Sequence, residues 1–215
     1  MKKSNATIDR YVLTLPEYKR IFGTIYSILE GRANTPHACL FFASAGALIL
    51  NKHYKISARA IGGAFMVCTD ADPSVIVFGK VVDGLLESSG DGFHFWVQTE
   101  HHIIDFMAPI YAECTMSLGA TKRVPRKMLQ KEISTEAASP NDLVAPGNFF
   151  TIPNFELTED LIDNFLNRHT NTDLLQACDR WFEKYPKRMR DISLLDDTGA
   201  VHRVRFEFPT ISGVW

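Results

Sequence analysis

The sequence predicts a mixed α+β fold, and three observations carry that prediction. Apolar residues recur at helical spacing in the first fifty positions. Short alternating strand patterns separated by tight turns follow in the middle. A helix–helix–hairpin pattern closes the chain. Antiparallel hairpins, rather than strands alternating with helices, argue against a doubly wound parallel sheet. The chain has 215 residues, 46% hydrophobic and 22% charged, with a formal net charge of −2. That length suits a single domain spanning 1–215, with a core at about 35–107 and the closing segment 158–208 packed on it. A general nucleic-acid binder would be basic, so nucleic acid is not an expected partner.

The amino-terminal stretch carries basic residues with no apolar run behind them, so it does not read as a secretory signal. The first helix is expected over 16–30: Thr14 as cap, Glu17 as its capping-box partner, Pro16 in the first turn, Gly31 as terminator. A second helix is expected from Pro36, capped by Thr35, through the apolar run 38–50 to an end at Asn51 or Lys52. It is apolar on every side, the mark of a helix wrapped by other elements. Its thirteen apolar and small residues fall short of the roughly 20 that a membrane span needs, so no membrane association is expected.

Residues 55–68 read as extended, with a bulge or bend at Gly62-Gly63. A turn at 70–73 leads into a strand at 74–78, and Gly90-Asp91-Gly92 opens the next sheet region. Runs 93–98 and 103–107 form a hairpin. The pattern weakens over 112–148, where Lys122, Arg123, Arg126, Lys127 and Lys131 read as a solvated basic face and 137–147 as loop. Thr158 is expected to cap a helix to Arg168. Thr172 is expected to cap another to about Tyr185, stopped by Pro186. A hairpin then pairs 192–195 with 201–208, and the apolar end 212–215 is suited to dock on the body or on a second copy.

The four cysteines, Cys39, Cys68, Cys114 and Cys178, form no CxxC pair, and their spacing supports neither zinc nor a disulfide framework. Reduced thiols and a cytoplasmic location are expected for three of them. Cys39 differs, because it sits near the start of the apolar helix, where unpaired amides and the helix dipole favour thiolate over thiol. A thiol nucleophile needs a base and the base needs an orienting carboxylate. His94, on the first strand of the hairpin, and Asp105, on the returning strand, are polar residues bracketed by apolar ones. If the hairpin closes on Thr99 and Glu100, the two stand directly opposite with β-carbons about 5 Å apart. The carboxylate can then accept one imidazole N–H and leave the other nitrogen for the thiol. Asn34, five residues ahead, could complete an oxyanion hole with the Cys39 backbone N–H, or it could simply be a loop residue that starts the helix. His37 could tune Cys39 or lie exposed. His94, His101 and His102 match no strong zinc signature, so no metal and no cofactor are expected.

This order of residues resembles the transglutaminase-like branch of the papain-like cysteine enzymes. The elements are a cysteine opening a buried helix, His94-Phe95-Trp96-Val97 on a strand, and Ile103-Ile104-Asp105 on the next. Arylamine N-acetyltransferases and bacterial transglutaminase-like cysteine peptidases share the order, and the similarity covers roughly 35–107. It implies a papain-like fold, with the cysteine helix packed on an antiparallel sheet, and a Cys39–His94–Asp105 triad. It further implies thiol-dependent hydrolysis or acyl transfer on a small-molecule or peptide amide or ester, through a thioester. No phosphate-cradling glycine motif is present to hold coenzyme A, which favours a peptidase or amidase over an acetyltransferase. The alternative is a binding or scaffold domain that keeps the fold around a degenerate site.

Overall fold

A computed structural model describes residues 12–70, 74–184, 189–196 and 198–215. The expected turn at 70–73 and the helix stop at Pro186 lie largely outside these residues.

Helix α1 spans Leu15–Leu29, and its start is set locally. Thr14 accepts the Glu17 amide while the Glu17 carboxylate accepts the Thr14 amide, so two orphan donors of the first turn are satisfied at once. Its buried stripe includes Tyr18, Ile21, Phe22, Ile25 and Ile28.

Helix α2 spans Cys39–Ile49, three residues later than the sequence predicts at its start. Thr35 does not cap it. Thr35–His37 instead form a separate 3-10 turn, and Ala38 occupies the cap position with no side-chain hydrogen bond. The helix runs on through a wide π-type turn, Leu50–Tyr54, before Lys55 turns left-handed. The Asn51 amide explains the run-on. It bonds the carbonyls of Ala47 and Ala58 and accepts the Ala58 amide, tying the helix end to the next strand rather than stopping the helix.

The main sheet is antiparallel throughout. Strand β1 spans Arg59–Cys68 and β2 spans Val75–Phe78. A small exposed ribbon follows, of β3 (Lys80–Val82) and β4 (Leu85–Glu87). Strands β5 (His94–Gln98) and β6 (His102–Asp105) form the hairpin, then come β7 (Leu129–Glu132) and β8 (Phe149–Pro153). The order is β2-β1-β5-β6-β7, with β8 also on β1. Phe65, Met66 and Val67 pair with both β2 and β8, and Gly63 pairs with both β5 and β8. It follows that β5 and β2 succeed one another along a single edge of β1, with β8 on the other. His94 begins β5 and Phe78 ends β2, so the junction between these two strands is where the site opens.

Gly62-Gly63 does not interrupt β1, as the sequence reading expected; the strand is continuous through both. A β-carbon on Gly63 would lie 2.2 Å from the Ile152 carbonyl oxygen, so glycine permits the close approach of β8.

Helix α3 (Tyr111–Ser117) lies in the segment the sequence leaves weakly patterned. Helices α4 (Phe155–Leu166) and α5 (His169–Trp181) both start earlier than predicted. Asn154, not Thr158, caps α4. The Thr158 hydroxyl turns back to the Asn154 carbonyl and also accepts the Gly62 amide, linking the helix to β1. Thr172 likewise sits inside the first turn of α5, bonded to the His169 carbonyl. The closing hairpin pairs β9 (Ile192–Leu195) with β10 (Val201–Val204). Helix α2 is packed on β1 and β5 and covered by α1 and α5, which accounts for its lack of a polar face. Among the described residues no helix is long and apolar enough to cross a membrane.

Candidate active site

Cys39 is the first residue of α2 and is only 7% exposed. First-turn amides of a helix have no intrahelical acceptor, so the thiol stands where partial positive charge gathers. His94 and Asp105 are both almost wholly buried, and His94 Nε2 lies 2.6 Å from Asp105 Oδ2. They do not stand directly opposite. The hairpin pairs Val97 with Ile104 and Gln98 with Ile103, and it closes on Glu100-His101 rather than on Thr99-Glu100. Extending that register would set His94 against Met107. The offset is two residues, so the face is kept, and the pair meets as diagonal neighbours.

Asp105 is held from several directions. Oδ1 accepts the Met107 amide at 2.8 Å. Oδ2 accepts the Tyr111 hydroxyl as well as His94, and the Asp105 backbone carbonyl accepts the Tyr18 hydroxyl. Burial first, and then the Asp105 charge, push both phenols well above their usual range, so they remain neutral donors. The imidazole is fixed by packing too: Phe78 stacks on it at 4.3 Å between centroids, and Tyr111 meets it edge-on at 6.0 Å. Tyr111 in turn stacks on Trp215, whose indole donates to the Thr69 carbonyl. The apolar chain end therefore docks on the body, behind His94 and Asp105.

Burial alone would depress the His94 pKa, but the Asp105 charge and hydrogen bond, with a contribution from Cys39, outweigh it and raise it to about 10. His94 Nδ1 is buried with no hydrogen-bond partner among the described residues, and Cys39 lines the same cavity. One nitrogen is thus committed to the carboxylate and the other is left for the thiol.

A raised histidine pKa binds a proton in the folded state that the unfolded chain has released. The stabilisation from this pair is fully present below about pH 6.5 and is lost as pH rises towards 10. Urea unfolding across that window should therefore show stability falling with pH more steeply than in Asp105→Asn, by up to about 1.4 kcal/mol per pH unit for one proton. Equal slopes in the two proteins would contradict this coupling.

Asn34 is not brought to the site. It is exposed at the start of the turn before α2 and does not line the cavity, and its carbonyl accepts the His37 amide. His37 is exposed at the cavity rim. Cys114 lines the cavity and donates to the Pro36 carbonyl at 3.1 Å. Burial above all, then the charges of Asp105 and Cys39, push its thiol up to about 12, so it stays protonated. Burial likewise pushes the Cys178 thiol up. All four cysteines are free. The basic segment is in part ion-paired, Arg126 with Glu113 and Lys122 with Asp70. Among the described residues no group of three His, Cys, Asp or Glu side chains could hold a metal ion.

The sequence reading missed Tyr111. Its one signal was a tyrosine six residues after a buried aspartate, and that does not distinguish it from a core aromatic.

No curated protein matches the chain. A solved structure, the crystal structure of genomics APC5867, is similar to it with a TM-score of 0.82 and 32% identity, over 94% of this chain and 97% of that one. The family model for a protein of unknown function, DUF2026, matches residues 14–215. On that match, which takes in the cavity with Cys39, His94 and Asp105, the chain belongs to the DUF2026 family.

Proposed function

We propose that the protein is a thiol-dependent hydrolase or acyltransferase acting on an amide or ester, with hydrolysis of a peptide or other amide favoured. The observation that carries this reading is the buried His94–Asp105 pair, with His94 and Cys39 lining the same cavity. A buried imidazole–carboxylate pair beside a thiol at a helix start has the ordered roles of a nucleophile, a base and an orienting group. A papain-like, transglutaminase-like kinship belongs to the same reading. A nucleophile helix packed on an antiparallel sheet supports it. Four free cysteines support a reducing, cytoplasmic setting.

In the proposed cycle, Cys39 Sγ attacks the acyl carbon as its proton resides on His94. The carbonyl oxygen becomes an oxyanion facing the amide of Cys39 at the start of α2. The C–N or C–O bond breaks, the leaving group takes the proton from His94, and a thioester remains. Water or an amine attacks the thioester, gives its proton to His94, and Cys39 is released. Asp105 keeps Nε2–H pinned and balances the imidazolium throughout, and Tyr111 holds Asp105 in place. Cys39→Ala should abolish turnover of an activated ester or amide. Turnover retained in that variant would overturn the proposal.

A second reading, a binding or scaffold domain with a degenerate site, is favoured by one observation. Asn34 does not reach the cavity, and the amides of His37 and Ala38 are already bonded to Asn34 and Thr35, which leaves the oxyanion with few donors. The same ester assay separates the two readings.

A further inference from the structure

We infer that the site takes an acyl donor whose group next to the carbonyl is uncharged and apolar, of about the size of a leucine side chain or a six-carbon chain. This rests on the thiol-enzyme reading and names its substrate class. The cavity beside Cys39 has a volume of about 340 Å³, near the lower end of the roughly 300–1,000 Å³ usual for ligand sites. It suits one small group, not a long stretch of polymer. Beyond the nucleophile and base, its walls are the protonated Cys114 thiol and the apolar Pro36, Val77, Phe78, Phe93, Met107 and Leu118, with bare glycine backbone between them.

Two charge-bearing side chains besides His94 line it among the described residues, and both sit at the rim. His37 is exposed. Asp91, its side chain 72% exposed, is already engaged by Lys80 at 2.5 Å and by Ser89 at 2.7 Å. Beyond His94, whose charge Asp105 already balances, an anionic or cationic group on the substrate would meet no buried counter-charge here and would lose its hydration without return.

A separate observation points the same way. Half of the exposed large apolar side chains among the described residues lie on the segments that continue from the cavity wall. These are Val77, Val81, Val82 and Leu85 from β2 through the ribbon, and Met116 and Leu118 at the end of α3. Val77 and Leu118 line the cavity itself, and exposed apolar groups at a cleft mark a contact surface for an apolar ligand.

The apolar group could come from a fatty acid or from an apolar amino acid, and the test distinguishes them. Initial rates would be measured for p-nitrophenyl esters of acetate, hexanoate, succinate, N-acetyl-leucine and N-acetyl-aspartate, with Cys39→Ala as background. The expected result is a kcat/KM at least tenfold higher for hexanoate or N-acetyl-leucine than for succinate or N-acetyl-aspartate. The better of those two apolar esters identifies the source. Leu118→Asp, at a position 81% exposed and so tolerant of the change, should cut the hexanoate-to-acetate ratio about tenfold. Cys39-dependent turnover that is equal across apolar and charged esters would overturn this inference and leave the triad reading standing. Absence of Cys39-dependent turnover with every ester would overturn both.

Discussion

His94→Ala is expected to slow iodoacetamide alkylation of Cys39 at pH 6 by roughly a hundredfold, with the other three thiols unchanged. An ordinary thiol of pKa near 8.5 is only about 0.3% ionised at that pH. His94 lines the same cavity as Cys39 and can take the thiol proton as the sulfur is alkylated, a route that His94→Ala removes. The His94 pKa of about 10 keeps that proton on the ring across the neutral range. In the intact protein the rate should stay high from pH 8 down to 6, whereas in His94→Ala it should fall about tenfold per pH unit. Asp105→Asn should lie between the two, because the ring keeps a hydrogen-bond partner while the imidazolium loses its counter-charge. A wild-type rate that tracks an ordinary thiol, or no labelling before unfolding, would favour the binding-domain reading. Mass mapping of the labelled peptide assigns the rate to Cys39 rather than to Cys114, which stays protonated.

Phe106→Ala is expected to lower folding stability by about 3–5 kcal/mol, measured by urea unfolding. Phe106 is fully buried and stacks on Tyr18 of α1 at 5.1 Å between centroids. Its ring also lies against Gly46 of α2, where an added β-carbon would come within 2.3 Å of it. One side chain thus joins the hairpin to two helices, and those neighbours cannot all collapse into the space it would leave. Gly46→Ala alone should destabilise by about 1–3 kcal/mol through overpacking. Placed on the Phe106→Ala background it should cost much less, since the new methyl enters the void. Val81→Ala, 68% exposed, serves as the comparison and should change stability by less than about 0.5 kcal/mol. A loss below about 1 kcal/mol for Phe106→Ala would mean that the helix–hairpin contact is not where the core is held.

How much of this was legible in the chain depends on the range of each determinant. The start of α1 could be read because Thr14 and Glu17 satisfy each other's amides within one turn. The starts of α4 and α5 could not. Thr158 and Asn154 are both competent caps, and the choice falls to the Gly62 amide that Thr158 meets on β1, which no local pattern announces. Gly62-Gly63 reads the same whether a strand bends or another strand crowds it. The approach of Ile152 decides, from nearly ninety positions away.

The candidate site divides along the same line. Alternation with period two puts His94 and Asp105 on one face of any in-phase hairpin, so their partnership survived a register two residues from the one expected. Local periodicity was enough for the mixed α+β class, the buried helix that Cys39 opens and the shared face of His94 and Asp105, because helical and strand repeats depend on near neighbours alone. Long-range packing is what keeps Asn34 outside the cavity, sets Tyr111 and Trp215 behind Asp105, and frames the thiol with apolar walls. Those depend on which distant segments pack together, and packing is settled by shape and burial over the whole chain rather than by the spacing of neighbours.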